Sequence, residues 1–386
     1  MGSYMKKTLA VVGAVALAGV LGFTAAGCSR KTRNLASLAS NWYFDADFKK
    51  IQPTFTEDAA EELIYKVTQT EQSTNAHYSV KYEDGTYTTK FYAKKITATE
   101  LADITLEDWR EGYTKALGKA GYMYLYYYST ELSLPSVTFT LDGTPTTFEN
   151  QSVVTESYFL SVEDYLNPVY SLRTVNMAVP ANYPNDALPY SAVDMTYESF
   201  YSLYGSDVYT KISGTSTMGD VVKDESGTYT VGGLSAYENS VFDVSYLDVL
   251  VRGTRNVAGS FSQTVSIYSP GVEVRDYTIA SNDKPVFEGE NAAAQLAEVQ
   301  AELESWGLFF PTPIDGHDLS KGTSKLNTVS ASVTYSGGKY SGVSQNYWFA
   351  VTQPNDTRTL MVKYSEPLTY NLGRLDYVLT KIVNIA

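Results

Sequence analysis

The chain has 386 residues, 44% of them hydrophobic and 19% charged, which is enough apolar material for a sizeable core and argues against a disordered polymer. Acidic residues number 43 against 29 basic ones, a net charge of −14, and such a field repels phosphate polymers and sets nucleic acid aside as a partner. A single Cys and two His exclude intrachain disulfides, thiolate zinc sites and multi-histidine metal centres.

At the start of the chain, Met5, Lys6 and Lys7 give a short positive segment, and Leu9 through Ala26 follow without a charge, rich in Ala, Val, Gly and Leu. This is the n-region and h-region pattern of a secretory signal. The run ends in Ala25-Ala26-Gly27-Cys28, which holds the only Cys of the chain. Those four residues resemble the lipobox of bacterial lipoproteins, with Ala25 where Leu is commoner. The resemblance covers the first 28 residues and implies cleavage before Cys28, whose thiol then carries a covalent lipid. Removing a 1–27 signal peptide takes Lys6 and Lys7 with it and leaves 27 basic against 43 acidic residues, a net −16. Several acyl chains, at roughly 0.8 kcal/mol per buried methylene, give stable membrane anchoring. An uncleaved spanning helix is the competing reading, against which the Ala and Gly content of the run counts. Residues 28–40 read as a membrane-proximal tether in which Arg30, Lys31 and Arg33 can lie against anionic headgroups. By the same resemblance Ser29 suits outer-membrane sorting, and a single-membrane cell is equally compatible.

Residues 41–386 read as a β-rich extracytoplasmic body, because 33 tyrosines recur with Thr, Val and Ser in alternating runs. The expected class is mainly β (α+β), an extended antiparallel, curved sheet with one or two packed helices. The first hairpin is expected from Ala76–Tyr82 into Thr86–Ile96 through Asp84-Gly85, a pair that tolerates positive φ. A helix is expected after Thr105, with Asp108 three residues on as a capping box and Trp109, Tyr113, Ala116 and Leu117 on one face.

Next comes the run Gly121-Tyr-Met-Tyr-Leu-Tyr-Tyr-Tyr-Ser129. As a strand it sends Tyr122, Tyr124, Tyr126 and Tyr128 to one face and Met123, Leu125 and Tyr127 to the other. Such a ladder could stack on sugar rings or line an apolar groove; the competing reading is cross-strand packing. A second hairpin is expected through Val137–Leu141, Asp142-Gly143 and Phe148. The loop holding Pro180, Pro184 and Pro189 is where two lobes, 41–190 and 191–386, would divide. A third hairpin is expected at Ser226-Gly227, between Val221-Val222 and Tyr229–Val231. The match of Phe148–Val153 to Tyr237–Val241 is a weak sign of an internal repeat.

Val241 to Arg252 is largely apolar on both faces apart from Asp243 and Asp248, which would flank an edge strand. A second helix, after Asn291, places Leu296, Val299, Leu303 and Trp306 at helical spacing and ends at Gly307. The last sixty residues read as a meander, with strands near 329–335, 347–352, 359–364 and 375–383.

Candidate chemistry is sparse. Asp315, His317 and Asp318 gather a metal-capable set on one loop, although Asp-Gly there also suits a turn after Pro311 and Pro313. His77 reads as a surface side chain. The carboxylate pairs Asp45/Asp47, Glu57/Asp58, Glu61/Glu62 and Asp243/Asp248 would serve a hydrolase only if one were buried and protonated opposite an ionised partner. No phosphate loop, serine elbow or zinc spacing is present. The expectation is therefore a membrane-tethered, non-enzymatic protein of the cell envelope, without a cofactor beyond the lipid on Cys28, that binds a glycan or lipid or serves as a structural element. A lipid or lipoprotein carrier with an apolar cavity and a carboxylate hydrolase are the alternatives.

Overall fold

The computed structural model describes residues 61–70, 77–120, 123–162, 165–178, 180, 192–203, 207–218, 221–231, 241–244, 247–252, 262–268, 274–282, 284–288, 290–308, 328–335, 343–350, 360–368 and 372–385. Alternation of Tyr, Val and Leu with Thr, Ser and Lys gives strands with one face turned inward, as in β1 (Glu61–Thr70), where Glu61, Leu63, Tyr65 and Val67 are buried. The N-terminal half continues with β2 (Tyr78–Tyr82), β3 (Gly85–Ile96), α1 (Ala98–Ile104), α2 (Glu107–Ala120), β4 (Met123–Leu141), β5 (Thr144–Val162) and β6 (Tyr165–Asn176). It is followed by β7 (Ala192–Tyr201), β8 (Val208–Met218), β9 (Val221–Val231), β10 (Val241–Asp243) and α3 (Leu247–Arg252). The remainder is β11 (Ser262–Tyr268), β12 (Val274–Asn282), α4 (Ala292–Ser305), β13 (Thr328–Tyr335), β14 (Ser344–Ala350), β15 (Met361–Pro367) and β16 (Arg374–Asn384).

All the strands belong to one sheet in the order β10-β11-β12-β13-β14-β15-β16-β1-β3-β4-β5-β6-β7-β8-β9, with β2 paired to β4 off this path. Every described pairing is antiparallel except β10 with β11, so the fold is mainly β as the alternation requires. The sheet is open, since β9 and β10 at its two ends do not pair with each other. Side chains nevertheless join distant strands: Thr210 of β8 and Tyr268 of β11 share a hydrogen bond of 2.7 Å, and Tyr201 of β7 meets Tyr268 edge-on. The C-terminal meander stands as β13 to β16, and β16 then pairs with β1 in a register that sets Glu62 beside Asn384.

Three local expectations are corrected. The first hairpin does not form, because β2 and β3 lie end to end along one edge of β4, opposite Val137–Leu141 and Met123–Ser133. Asp84-Gly85 therefore carries the chain onward instead of reversing it. Gly85 is required for closeness: a Cβ there would meet the Ser133 carbonyl oxygen at 2.5 Å. The third hairpin is also absent, since Ser226 and Gly227 sit inside β9, paired without interruption to Ser213 and Ile212 of β8. Finally, Val241–Arg252 is not one edge strand. Its second part is the short helix α3, whose apolar residues Leu247 and Val251 are buried in the main core.

The second hairpin forms as expected between β4 and β5, with Asp142 at φ 46° and Gly143 at φ 80°, the doubly positive backbone of a tight hairpin. Helix α2 buries Tyr113 and Leu117, with Trp109 and Ala116 packed beside them. The capping box lies one helix earlier than the sequence implied, where Thr97 and Glu100 bond reciprocally at the start of α1. The Thr97 donors also hold the Glu100 carboxyl below its usual range. Helix α4 turns Val299 and Leu303 into the core and ends at Gly307 with φ 64°. There Leu308 N–H reaches Leu303 O at 2.8 Å in a Schellman closure. Trp306, expected on the packed stripe, is instead 38% exposed.

Candidate functional site

The two faces of β4 build two different arrangements. On the inner face Tyr124, Tyr126 and Tyr128 are 8%, 3% and 1% exposed and belong to the main core. They stand together as the alternation requires, but stacking on a sugar is closed to them, and cross-strand packing describes their role: Phe91 of β3 lies 6.1 Å from both the Tyr126 and Tyr128 rings. Tyr122 lies outside the described residues.

Beneath them is a buried array of tyrosines and carboxyls. Across β14, β15, β16 and β3 the rings of Tyr347, Tyr364, Tyr377 and Tyr87 follow one another at 4.7, 4.8 and 5.0 Å. Helix α3 drops Asp248 among them. One Asp248 oxygen accepts the Tyr347 hydroxyl at 3.1 Å, and the other accepts Tyr128 at 3.0 Å and Tyr87 at 3.4 Å. Glu366 accepts Tyr364 at 2.8 Å and a short bond from Tyr377. Burial raises both carboxyls above their usual range, and the tyrosine hydroxyls pull them partly back. One turn beyond Asp248, Arg252 donates to Glu61 at 2.6 Å with both side chains 1% exposed. Each oxygen of Asp248 and Glu366 is thus already occupied by an enclosed tyrosine, an arrangement that fastens α3 to both halves of the sheet.

The outer face is different. Tyr92 of β3, Tyr127 of β4, Tyr158 of β5, Tyr170 of β6, Phe200 of β7 and Tyr209 of β8 are direct cross-strand partners. Their ring centroids follow at 4.8, 5.0, 5.8, 5.0 and 6.3 Å, with the planes tilted by 31° to 61°. Tyr92 is buried and the other five rings are half-buried. The row therefore crosses six strands, about 24 Å at the usual strand spacing. Along one side the sheet is roofed by α1 and α2, where Leu125 and Leu160 pack under Leu101, Tyr113 and Leu117. Along the other side the next positions in register are Lys90, Ser129, Glu156, Leu172, Glu198 and Lys211. Two of these bind the rings directly: Tyr127 donates to Glu156 at 2.9 Å and Tyr170 to Glu198 at 3.2 Å. Burial, with the adjacent carboxylate, pushes both hydroxyls well above the usual tyrosine range, so they remain donors. The arrangement is an aromatic shelf between a helical wall and a polar rail that carries Ser129, Glu156 and Glu198.

The tyrosine ladder that the sequence singled out lies on the inner face of β4, and none of the six outer rings was singled out as a site. Tyr158, Tyr170, Phe200 and Tyr209 look unremarkable along the chain, and only the pairing register of β4 to β8 aligns them. Cys28, Asp315, His317, Asp318, Asp45, Asp47, Glu57 and Asp58 lie outside the described residues. Asp243 falls on β10. His77 is on the surface, 3.2 Å from Asp142. Among the described residues no group of three His, Cys, Asp or Glu could hold a metal ion, and no helix is long and apolar enough to cross a membrane.

Fold and surface together define a mainly β protein with one open antiparallel sheet and an aromatic outer shelf. No protein-family model matches the chain, and no curated protein matches it in sequence. A crystal structure of a "putative lipoprotein" from Parabacteroides distasonis aligns with 85% of this chain and 97% of its own at 7% identity and a TM-score of 0.16, a score too low to mark a common fold.

Proposed function

We propose that the chain is a lipid-anchored, non-enzymatic glycan-binding protein of the cell envelope, tethered through Cys28 and presenting the outer aromatic shelf to its ligand. The observation that carries the binding role is the register of Tyr127, Tyr158, Tyr170, Phe200 and Tyr209, which keeps five half-buried rings in one row on the face away from the main core, with the buried Tyr92 closing one end. Half-buried rings beside hydroxyl and carboxylate oxygens that can accept offer apolar surface and hydrogen bonding together, the combination that sugars require. The anchor rests on the leader and the Ala25-Ala26-Gly27-Cys28 resemblance. The test is a glycan array probed with the wild-type body and with Tyr158→Ala/Tyr170→Ala. Loss of the bound glycans in the double variant, with its melting transition retained, is the expected result. An array on which wild type and variant bind alike, or on which nothing binds, overturns the reading.

A further inference from the structure

Resting on that reading, we infer that the shelf takes an extended, uncharged polysaccharide lying across the strands, and that Glu156 and Glu198 act as its polar rail. The first argument is metric. The half-buried rings Tyr127, Tyr158, Tyr170, Phe200 and Tyr209 repeat at the interstrand distance, about 4.8 Å, and an extended β-1,4-linked hexopyranose chain advances by a comparable step of about 5 Å per sugar, so about four or five consecutive units can lie along the row. A chain running parallel to the strands would meet one ring and then leave the row. The second argument is electrostatic. The centre of the rail carries Glu156 and Glu198, and the basic side chains, Lys90 and Lys211, stand at its two ends; Lys211 lies 4.0 Å from Glu198. Hydroxyl-rich sugars can donate to these carboxylates, whereas a uronate or sulfate chain would set its own charges against them and against a chain of net charge −14. The third is steric. Helices α1 and α2 roof the sheet on the side of Leu125 and Leu160, so the ligand is confined to the strip between roof and rail. A branched or globular glycan has no such confinement to exploit.

The test uses the full extracytoplasmic body and isothermal titration with β-1,4-linked and β-1,3-linked neutral oligosaccharides of two to eight units, beside heparin and polygalacturonate. Affinity is expected to rise about tenfold or more between the disaccharide and the hexasaccharide, and then to level off as the shelf fills. Replacing one central ring, as in Tyr158→Ala, should cost about tenfold on the hexasaccharide and much less on the disaccharide. Tyr158→Phe, which keeps the packing, guards against a folding defect and should bind within a few-fold of wild type. Glu156→Gln and Glu198→Gln should each weaken binding several-fold through the lost charge-assisted hydrogen bonds. Equal affinity at every length, or a preference for heparin or polygalacturonate, overturns the extended neutral occupant while leaving the aromatic shelf as the ligand surface. If no oligosaccharide binds and the array is also blank, the underlying reading falls with it.

Discussion

Strand β4 sends the same side chain to both of its faces, and the outcomes differ. Inward, Tyr128 is 1% exposed and its hydroxyl is committed to Asp248; outward, Tyr127 is half-buried and its hydroxyl leans on Glu156 at the edge of the shelf. The inner array is closed around carboxyls lifted by burial, and it ties α3 to β3, β4 and β14. The outer row is a repeat of cross-strand pairs with one side left to solvent. Residue type therefore decides little here, and the number of layers stacked above each ring decides most.

The contrast is broken most severely at Arg252. Arg252→Ala leaves the Glu61 carboxylate buried without its guanidinium and is expected to destabilise the fold by about 3–5 kcal/mol in chemical denaturation. The double change Arg252→Met with Glu61→Leu should recover most of that loss, because two apolar side chains replace a desolvated pair. Recovery of none of it would mean that the pair does more than satisfy itself.

A milder comparison sets one inner hydroxyl against one outer hydroxyl. Tyr128→Phe removes a donor from the enclosed Asp248 and should cost about 1–3 kcal/mol, whereas Tyr170→Phe, whose partner Glu198 can turn to water, should cost less than about 1 kcal/mol. Equal losses in urea unfolding would erase the distinction between the faces.

The smallest expected effect is a slope with pH. Burial raises the folded-state values of Asp248 and Glu366 above those of the unfolded chain, so the stability linked to their protonation is complete below the ordinary carboxylate range. It is lost as pH rises through the raised values. The wild-type body should therefore gain stability relative to Glu366→Gln as pH falls from about 7.5 to about 5, read as the difference between urea midpoints. An unchanged difference would show that Glu366 does not titrate in that interval.

Much of this fold can be read from alternation alone. The meander β13–β16, the Asp142-Gly143 turn and the split of Tyr124, Tyr126 and Tyr128 from Tyr127 all follow from a period of two and from turn chemistry. What alternation cannot reveal is which strand lies beside which. Asp84-Gly85 carries a hairpin signal, yet Gly85 serves a close approach to Ser133, since β4 is long enough to host β2 and β3 in tandem. Asp248 and Arg252 look like an acid and a base on a short apolar strand until α3 turns Asp248 toward tyrosines between 99 and 161 residues away in the chain and Arg252 toward Glu61, 191 residues away. The shelf was hidden for the same reason, because its rings come from six strands and share no local pattern.

The pairing of β1 with β16 has a temporal consequence. Glu62 cannot find Asn384 until nearly everything between them has emerged, so the seam at the middle of the sheet is the last to be sewn during synthesis. Contacts of such sequence separation slow folding. The same seam makes the nascent protein vulnerable, because β1 must wait with a bare edge, open to pairing with a neighbouring molecule until β16 arrives.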